Sequence, residues 1–110
     1  MQVWAVIAQK GGQSKTTLST GFAVEAAREG AAVVILDADD RQGSALYWSE
    51  RRDEDDVTVK DSSVAGLPLH VSRGRSSGKI DLIIIDTPAN SKDIAMLAAE
   101  QADFVIIPVA

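Results

Sequence analysis

Gln9-Lys10-Gly11-Gly12-Gln13-Ser14-Lys15-Thr16-Thr17 lies between an apolar run, Val3-Trp4-Ala5-Val6-Ile7-Ala8, and a helical pattern from Leu18 to Arg28. A strand, a glycine-containing loop ending in Lys-Thr, and then a helix is the context a phosphate-binding loop requires. A helix N-terminus presents unpaired backbone N–H groups and the positive end of the helix dipole. Gly11 and Gly12 remove side chains, so the backbone can curl around phosphate oxygens. Lys15 is placed to set its ammonium between β- and γ-phosphates, and Thr16 to offer its hydroxyl to Mg²⁺. The ligand implied is a nucleoside triphosphate.

The spacing G-x-x-x-x-G-K-[ST] is not met, because Gln9 and Ser14 stand where its two glycines belong. A second lysine, Lys10, precedes Gly-Gly instead. The pattern K-G-G-x-x-K-[ST] resembles the deviant Walker A motif of the ParA/MinD family of ATPases. The resemblance implies that Gly11, Gly12, Gln13, Ser14, Lys15, Thr16 and Thr17 bind ATP. It implies that Lys10 reaches across a nucleotide-sandwich dimer to the partner's phosphates. Ser14 stands where the family most often has glycine, and its Cβ is a burden if that position needs a positive φ.

Two more segments complete a site. Ala32-Val33-Val34-Ile35-Leu36 ends in Asp37-Ala38-Asp39, and Ile80-Asp81-Leu82-Ile83-Ile84-Ile85 ends in Asp86-Thr87-Pro88. Uninterrupted β-branched runs suit strands covered on both faces. Ligands of open α/β sheets bind at the carboxyl ends of strands. Mg²⁺ takes oxygen ligands, including one or two carboxylates, and γ-phosphoryl transfer to water needs a group that orients the water. By resemblance, Asp39 positions that water and lies near the metal, Asp86 holds Mg²⁺ through water, and Thr87-Pro88 begins the γ-phosphate switch. The expected catalytic set is Lys10, Lys15 and Asp39, and the expected metal set is Thr16, Asp39 and Asp86. Asp40 replaces the family's usual proline, and Gln42-Gly43 are displaced by one residue.

At 110 residues the chain is one domain, and 45% apolar with 25% charged residues is a globular composition. With no cysteine, zinc-thiolate and iron–sulfur sites are excluded. The single His70 argues against a histidine metal site and reads as a surface or half-buried residue. No signal peptide is visible, and no apolar run approaches the ~20 residues of a membrane span. No terminal amphipathic helix offers a membrane anchor. The bacterial cytoplasm is the expected compartment. The formal net charge is −5, and Arg51, Arg52, Arg73, Arg75 and Lys79 are scattered among acidic residues. The chain therefore carries no footprint for non-specific DNA binding, which rests on phosphate contacts.

The expected elements are strand 2–8, phosphate loop 9–15, helix 16–29, strand 32–37, and a loop with a short helix over 40–52. A short strand at 57–59 follows, then an unassigned stretch at 60–79, where Gly66, Pro68, Gly74 and Gly78 interrupt any long helix. Strand 80–86, helix 91–101 with Ser91 as N-cap, and strand 104–109 complete the chain. Phe22, Ala23, Ala26 and Ala27 recur at helical spacing and are expected to face the sheet. Gly30 fits the residue after a helix end. Tyr47 and Trp48 read as packing aromatics.

Alternating strands and helices predict an α/β fold: a P-loop NTPase-like parallel sheet of four to five strands with helices on both faces. Family members continue well past the position of Ala110. The chain therefore reads as a ParA-like core, residues 1–110, shortened on its C-terminal side, with an apolar sheet edge at 104–109. Self-association is expected from that edge, including exchange of elements between copies.

The resemblance implies a weak ATPase switch for plasmid or chromosome partitioning, with ATP-dependent dimerisation and a ParB-type adaptor. Two alternatives stand beside it. One is a non-hydrolysing dimerisation or assembly module. The other is a different cargo-positioning, biosynthetic or regulatory member of the superfamily.

Overall fold

The computed structural model describes residues 1–7, 13–38, 56–63, 65–87 and 91–108, and of residues 13–17 the backbone only. Among the described residues eight elements follow one another: β1 (Gln2–Val6), α1 (Gln13–Arg28), β2 (Val33–Asp37), β3 (Val57–Asp61), α2 (Leu67–Ser77), β4 (Leu82–Asp86), α3 (Lys92–Gln101) and β5 (Phe104–Ile106). The five strands form one sheet in the order β3-β2-β4-β1-β5, with every pairing parallel. The expected α/β class and open parallel sheet are thus present.

The order puts β4 in the middle, between β2 and β1. All five residues of β4, Leu-Ile-Ile-Ile-Asp, are buried, as an interior parallel strand requires. Its alternate residues feed two cores. Leu82 and Ile84 join Val6, Val33, Ile35, Val57 and Ala23 of α1, with Phe22, Ala26 and Ala27 packed around them. Ile83 and Ile85 join Val3, Ala5 and Leu36 with Leu67 and Val71 of α2 and Ala98 of α3. The sheet is therefore sandwiched, with α1 on one face and α2 and α3 on the other. Trp4 extends the α1 face toward the edge through T-shaped contacts with Phe22 at 5.8 Å and Phe104 at 6.4 Å.

Two aspartates tie the N-terminal ends of the strands together. The carboxylate of Asp81 accepts the Ala32 N–H at 2.8 Å, while the Asp81 N–H donates to the Ala32 carbonyl at 2.8 Å. Asp103 repeats the device on Val3, with distances of 2.8 and 2.7 Å.

The largest correction concerns 60–79, which holds the eleven-residue helix α2. The residues read as interruptions all have helix-compatible places. Pro68 lies in the first turn, where its missing N–H has no intrahelical acceptor anyway. Gly78 caps the C-terminus at φ +66, the left-handed conformation that suits glycine. Gly74 is mid-helix and buried, and a Cβ there would come within 2.9 Å of Ile83 Cδ1. It lets the helix approach the sheet.

Other boundaries shift. Helix α1 starts at Gln13 rather than 16, so the expected loop 9–15 has already become helix at its last three positions. The backbone of Ser14 therefore lies in right-handed helix, where φ is negative. β1 ends at Val6 and β4 starts at Leu82, each shorter than expected. β3 extends to Asp61. β5 stops at Ile106, two residues before Pro108, which has no N–H to give a ladder. Ser91 takes the N-cap position of α3 with extended backbone, but its side chain makes no capping bond. Gly30 follows α1 at φ +94, and Gly30 and Ala31 donate to Ala27 and Ala26 in a Schellman closure. The segment 40–52, with Tyr47 and Trp48, lies outside the described residues.

Candidate functional site

The site lies at the carboxyl ends of the three inner strands. Val6, Asp86 and Asp37 are register partners across β1, β4 and β2. Register partners in a parallel sheet point to the same face, so both carboxylates share the α1 side with Ile35 and Ile84. Adjacent strands are about 4.8 Å apart, which sets the spacing of the two aspartates. Each is only 1% exposed. Two acids side by side in a low-dielectric environment are costly without compensating donors or a cation.

The surrounding backbone is tightly held. The Ala38 N–H donates to the Asp86 carbonyl at 2.9 Å, which carries β2's exit past the end of β4. The buried Thr87 hydroxyl donates to the Val6 carbonyl at 3.0 Å. This pins the segment after Asp86 to the end of β1, just before the expected phosphate loop. On the opposite side of Asp37, the Ser62 N–H donates to its carbonyl at 3.0 Å. The Ser62 hydroxyl lies 2.9 Å from Nδ1 of His70, which is half-buried. From α1, the buried Ser19 hydroxyl donates to Asp86 Oδ1 at 3.3 Å.

Asp86 is therefore placed at the strand end as its sequence context predicts. Gln13, Ser14, Lys15, Thr16 and Thr17 form the first turn of α1, and of them the backbone is described. Their amides belong to a helix N-terminus, the arrangement that favours anions. Lys10, Gly11, Gly12, Asp39, Asp40 and Pro88 lie outside the described residues. Asp39 follows Ala38, whose backbone is bonded to Asp86. Arg75 is engaged with Asp103 at 3.7 Å, and Arg73 and Lys79 are exposed nearby.

Ser19 was missed by the sequence reading. A signal existed: Ser19 stands on the same stripe as Ala23 and Ala26, a hydroxyl in an otherwise apolar row. A polar residue at such a position needs a partner on the facing sheet.

The donor set is of hard oxygens: the carboxylates of Asp37 and Asp86 and the hydroxyls of Ser19 and Thr87. Among the described residues no group of three or more His, Cys, Asp or Glu could hold a metal ion by itself. A donor set of hard oxygens fits Mg²⁺, which takes one or two carboxylates, keeps several waters and shares phosphate oxygens. It does not fit zinc, which prefers nitrogen and sulfur. Among the described residues no helix is long and apolar enough to cross a membrane.

Comparison with known proteins agrees with this geometry. The family described as the CobQ/CobB/MinD/ParA nucleotide-binding domain matches residues 4–105. No curated protein sequence matches the chain. Among solved structures, the MinC:MinD cell division protein complex of Aquifex aeolicus aligns with a TM-score of 0.73 at 21% identity, over 97% of this chain and 55% of that one. MinD with Mg-ADP from Pyrococcus horikoshii OT3 aligns at 0.68 and 19%, over 96% and 56%. A nucleotide-binding protein in complex with ADP, with Co, from Archaeoglobus fulgidus aligns at 0.66 and 26%, over 96% and 53%. The chain spans little more than half the length of these structures.

Proposed function

The chain belongs to the CobQ/CobB/MinD/ParA nucleotide-binding domain family, and on that premise we propose that it is an ATP-binding switch that hydrolyses ATP slowly. The observation that carries the reading is the pair of buried carboxylates, Asp37 and Asp86, aligned at neighbouring strand ends beside β1. Strand β1 feeds the loop that opens α1. This is where the family pattern requires acids.

Each residue has a role in the proposal. The amides of the first turn of α1, with Gly11 and Gly12 before them, receive the phosphates. Lys15 neutralises charge on the β- and γ-phosphates, and Thr16 and Asp86 hold Mg²⁺. Asp39 orients the attacking water, and Thr87-Pro88 responds to the γ-phosphate. Lys10 reaches the phosphates of a second copy, so that ATP favours pairing and hydrolysis releases it. When bound, Mg²⁺ supplies countercharge to the oxygens of the transferring phosphoryl group.

Two biological settings fit such a switch. One is partitioning of a plasmid or chromosome with a ParB-type adaptor. The other is cell division, the setting named for the Aquifex aeolicus complex. A net charge of −5 favours neither DNA binding nor an acidic partner. A second reading, a non-hydrolysing assembly module, draws support from β5. It is a sheet edge, with Phe104 55%, Val105 44% and Ile107 49% exposed.

Calorimetric titration of Mg·ATP into the chain, with Lys15→Ala as control, separates these readings. Saturable binding that disappears in Lys15→Ala with an unchanged circular dichroism spectrum is expected. Equal heats for both proteins would remove the nucleotide reading. Lys10→Ala is expected to abolish ATP-dependent dimerisation in light scattering while sparing nucleotide binding.

A further inference from the structure

Ser19 is 0% exposed in the body of α1, and its hydroxyl reaches the central strand to donate to Asp86 Oδ1 at 3.3 Å. We propose that Ser19 is a positioning residue for Asp86, fixing the carboxylate orientation that receives the hydrated Mg²⁺ of a bound nucleotide. The proposal rests on the nucleotide reading above.

The local constraints lead to it. The backbone at Asp86 is held on both flanks, by Ala38 N–H on its carbonyl and by the Thr87 hydroxyl on Val6. The Ser19 hydroxyl acts on the side chain itself. An ionised carboxylate has two equivalent oxygens and several lone-pair directions. A donor on Oδ1 commits that oxygen and turns Oδ2 to a defined direction. Ligating carboxylates are commonly ordered in this way by hydrogen bonds from a surrounding shell. Ordering the group before the cation arrives removes an entropic cost from binding.

Ser19 is also suitably placed along α1. It stands three and four positions after Thr16 and Lys15, the spacing of one helix face. One helix therefore carries the phosphate-binding turn and, a turn further in, the hydroxyl that sets the metal-side acid. A bond of 3.3 Å exceeds the usual O–H···O distance of about 2.8 Å.

The experiment measures ADP affinity by calorimetry at Mg²⁺ concentrations from EDTA upward, for wild type, Ser19→Ala and Ser19→Thr. All three are expected to bind ADP equally in EDTA. The Mg²⁺ midpoint of Ser19→Ala is expected to rise about tenfold, the low end for loss of such a supporting bond. Ser19→Thr, which keeps the hydroxyl, should restore it. Asp81→Ala, at the opposite end of the sheet, controls for lost stability and should leave the midpoint in place.

A Ser19→Ala midpoint within about twofold of wild type overturns the assignment. So does an equal loss of ADP affinity with and without Mg²⁺, or a shift of the same size in Asp81→Ala. A wild-type chain that binds no ADP at any Mg²⁺ concentration overturns the nucleotide reading, and the assignment with it. If Ser19→Ala does not fold, Ser19→Cys fills the site with a slightly larger side chain and a weaker donor. An unchanged midpoint there overturns the assignment equally.

Discussion

Gly74 tests whether α2 is seated by close approach or merely tolerates a glycine. Glycine inside a helix costs about 1 kcal/mol relative to alanine. On propensity alone Gly74→Ala should stabilise the chain by that amount. The structure argues the reverse. An alanine Cβ would lie 2.9 Å from Ile83 Cδ1, with Met1 Sδ at 3.4 Å and Ile80 Cδ1 at 3.6 Å. Carbon atoms in good contact are about 3.5–4.0 Å apart. Ile83 is 1% exposed and sits in the core between β4 and the two helices, so it cannot swing aside into solvent. Overpacking of this kind costs about 1–3 kcal/mol. The net expectation for Gly74→Ala is a loss of about 1 kcal/mol.

The cause can be isolated by removing the offending atom. Ile83→Val deletes Cδ1 and by itself should cost about 0.5–1.5 kcal/mol. In that background the next neighbour is the end of a flexible methionine, so Gly74→Ala should recover its helix gain and stabilise by up to about 1 kcal/mol. The two backgrounds should thus differ by about 2 kcal/mol, read from urea unfolding midpoints at constant slope. A coupling below about 0.5 kcal/mol is within ordinary additivity and would refute the reasoning.

Gly78→Ala meets no steric obstacle but must adopt φ +66. It should lose about 1 kcal/mol, seen as a fall of about 4–8 °C in thermal midpoint, with Gly78→Asn milder. Asp81→Ala removes the 2.8 Å bond to the Ala32 N–H. A loss of about 0.5–1.5 kcal/mol in urea is expected, with Mg·ADP affinity unchanged because the carboxyl-end site is a strand length away.

Much of the architecture was legible because it depends on local pattern. Val33-Val34-Ile35-Leu36 and Leu82-Ile83-Ile84-Ile85 suit strands covered on both faces, and the structure buries β4 throughout. Gly30 announced the end of α1 because no other residue accepts its φ so readily. The position of Asp86 at the end of β4 followed from the apolar run that it closes.

The 60–79 segment was illegible for a reason of the opposite kind. Nothing near Gly74 in the chain says that Ile83 will face it, so a packing glycine looks like a helix breaker. Ser19 and Asp86 are likewise separated by 67 positions, and their bond exists because α1 crosses β4 on one particular face. Local pattern was enough to show which residues form the inner strands and which acids end them, since periodicity and turn chemistry act within a few residues. The tertiary structure alone decided the strand order that puts Asp37 beside Asp86, the seating of α2 on Gly74 and the donor assigned to Asp86. Those depend on non-local packing, which selects among partners that a single chain segment cannot see.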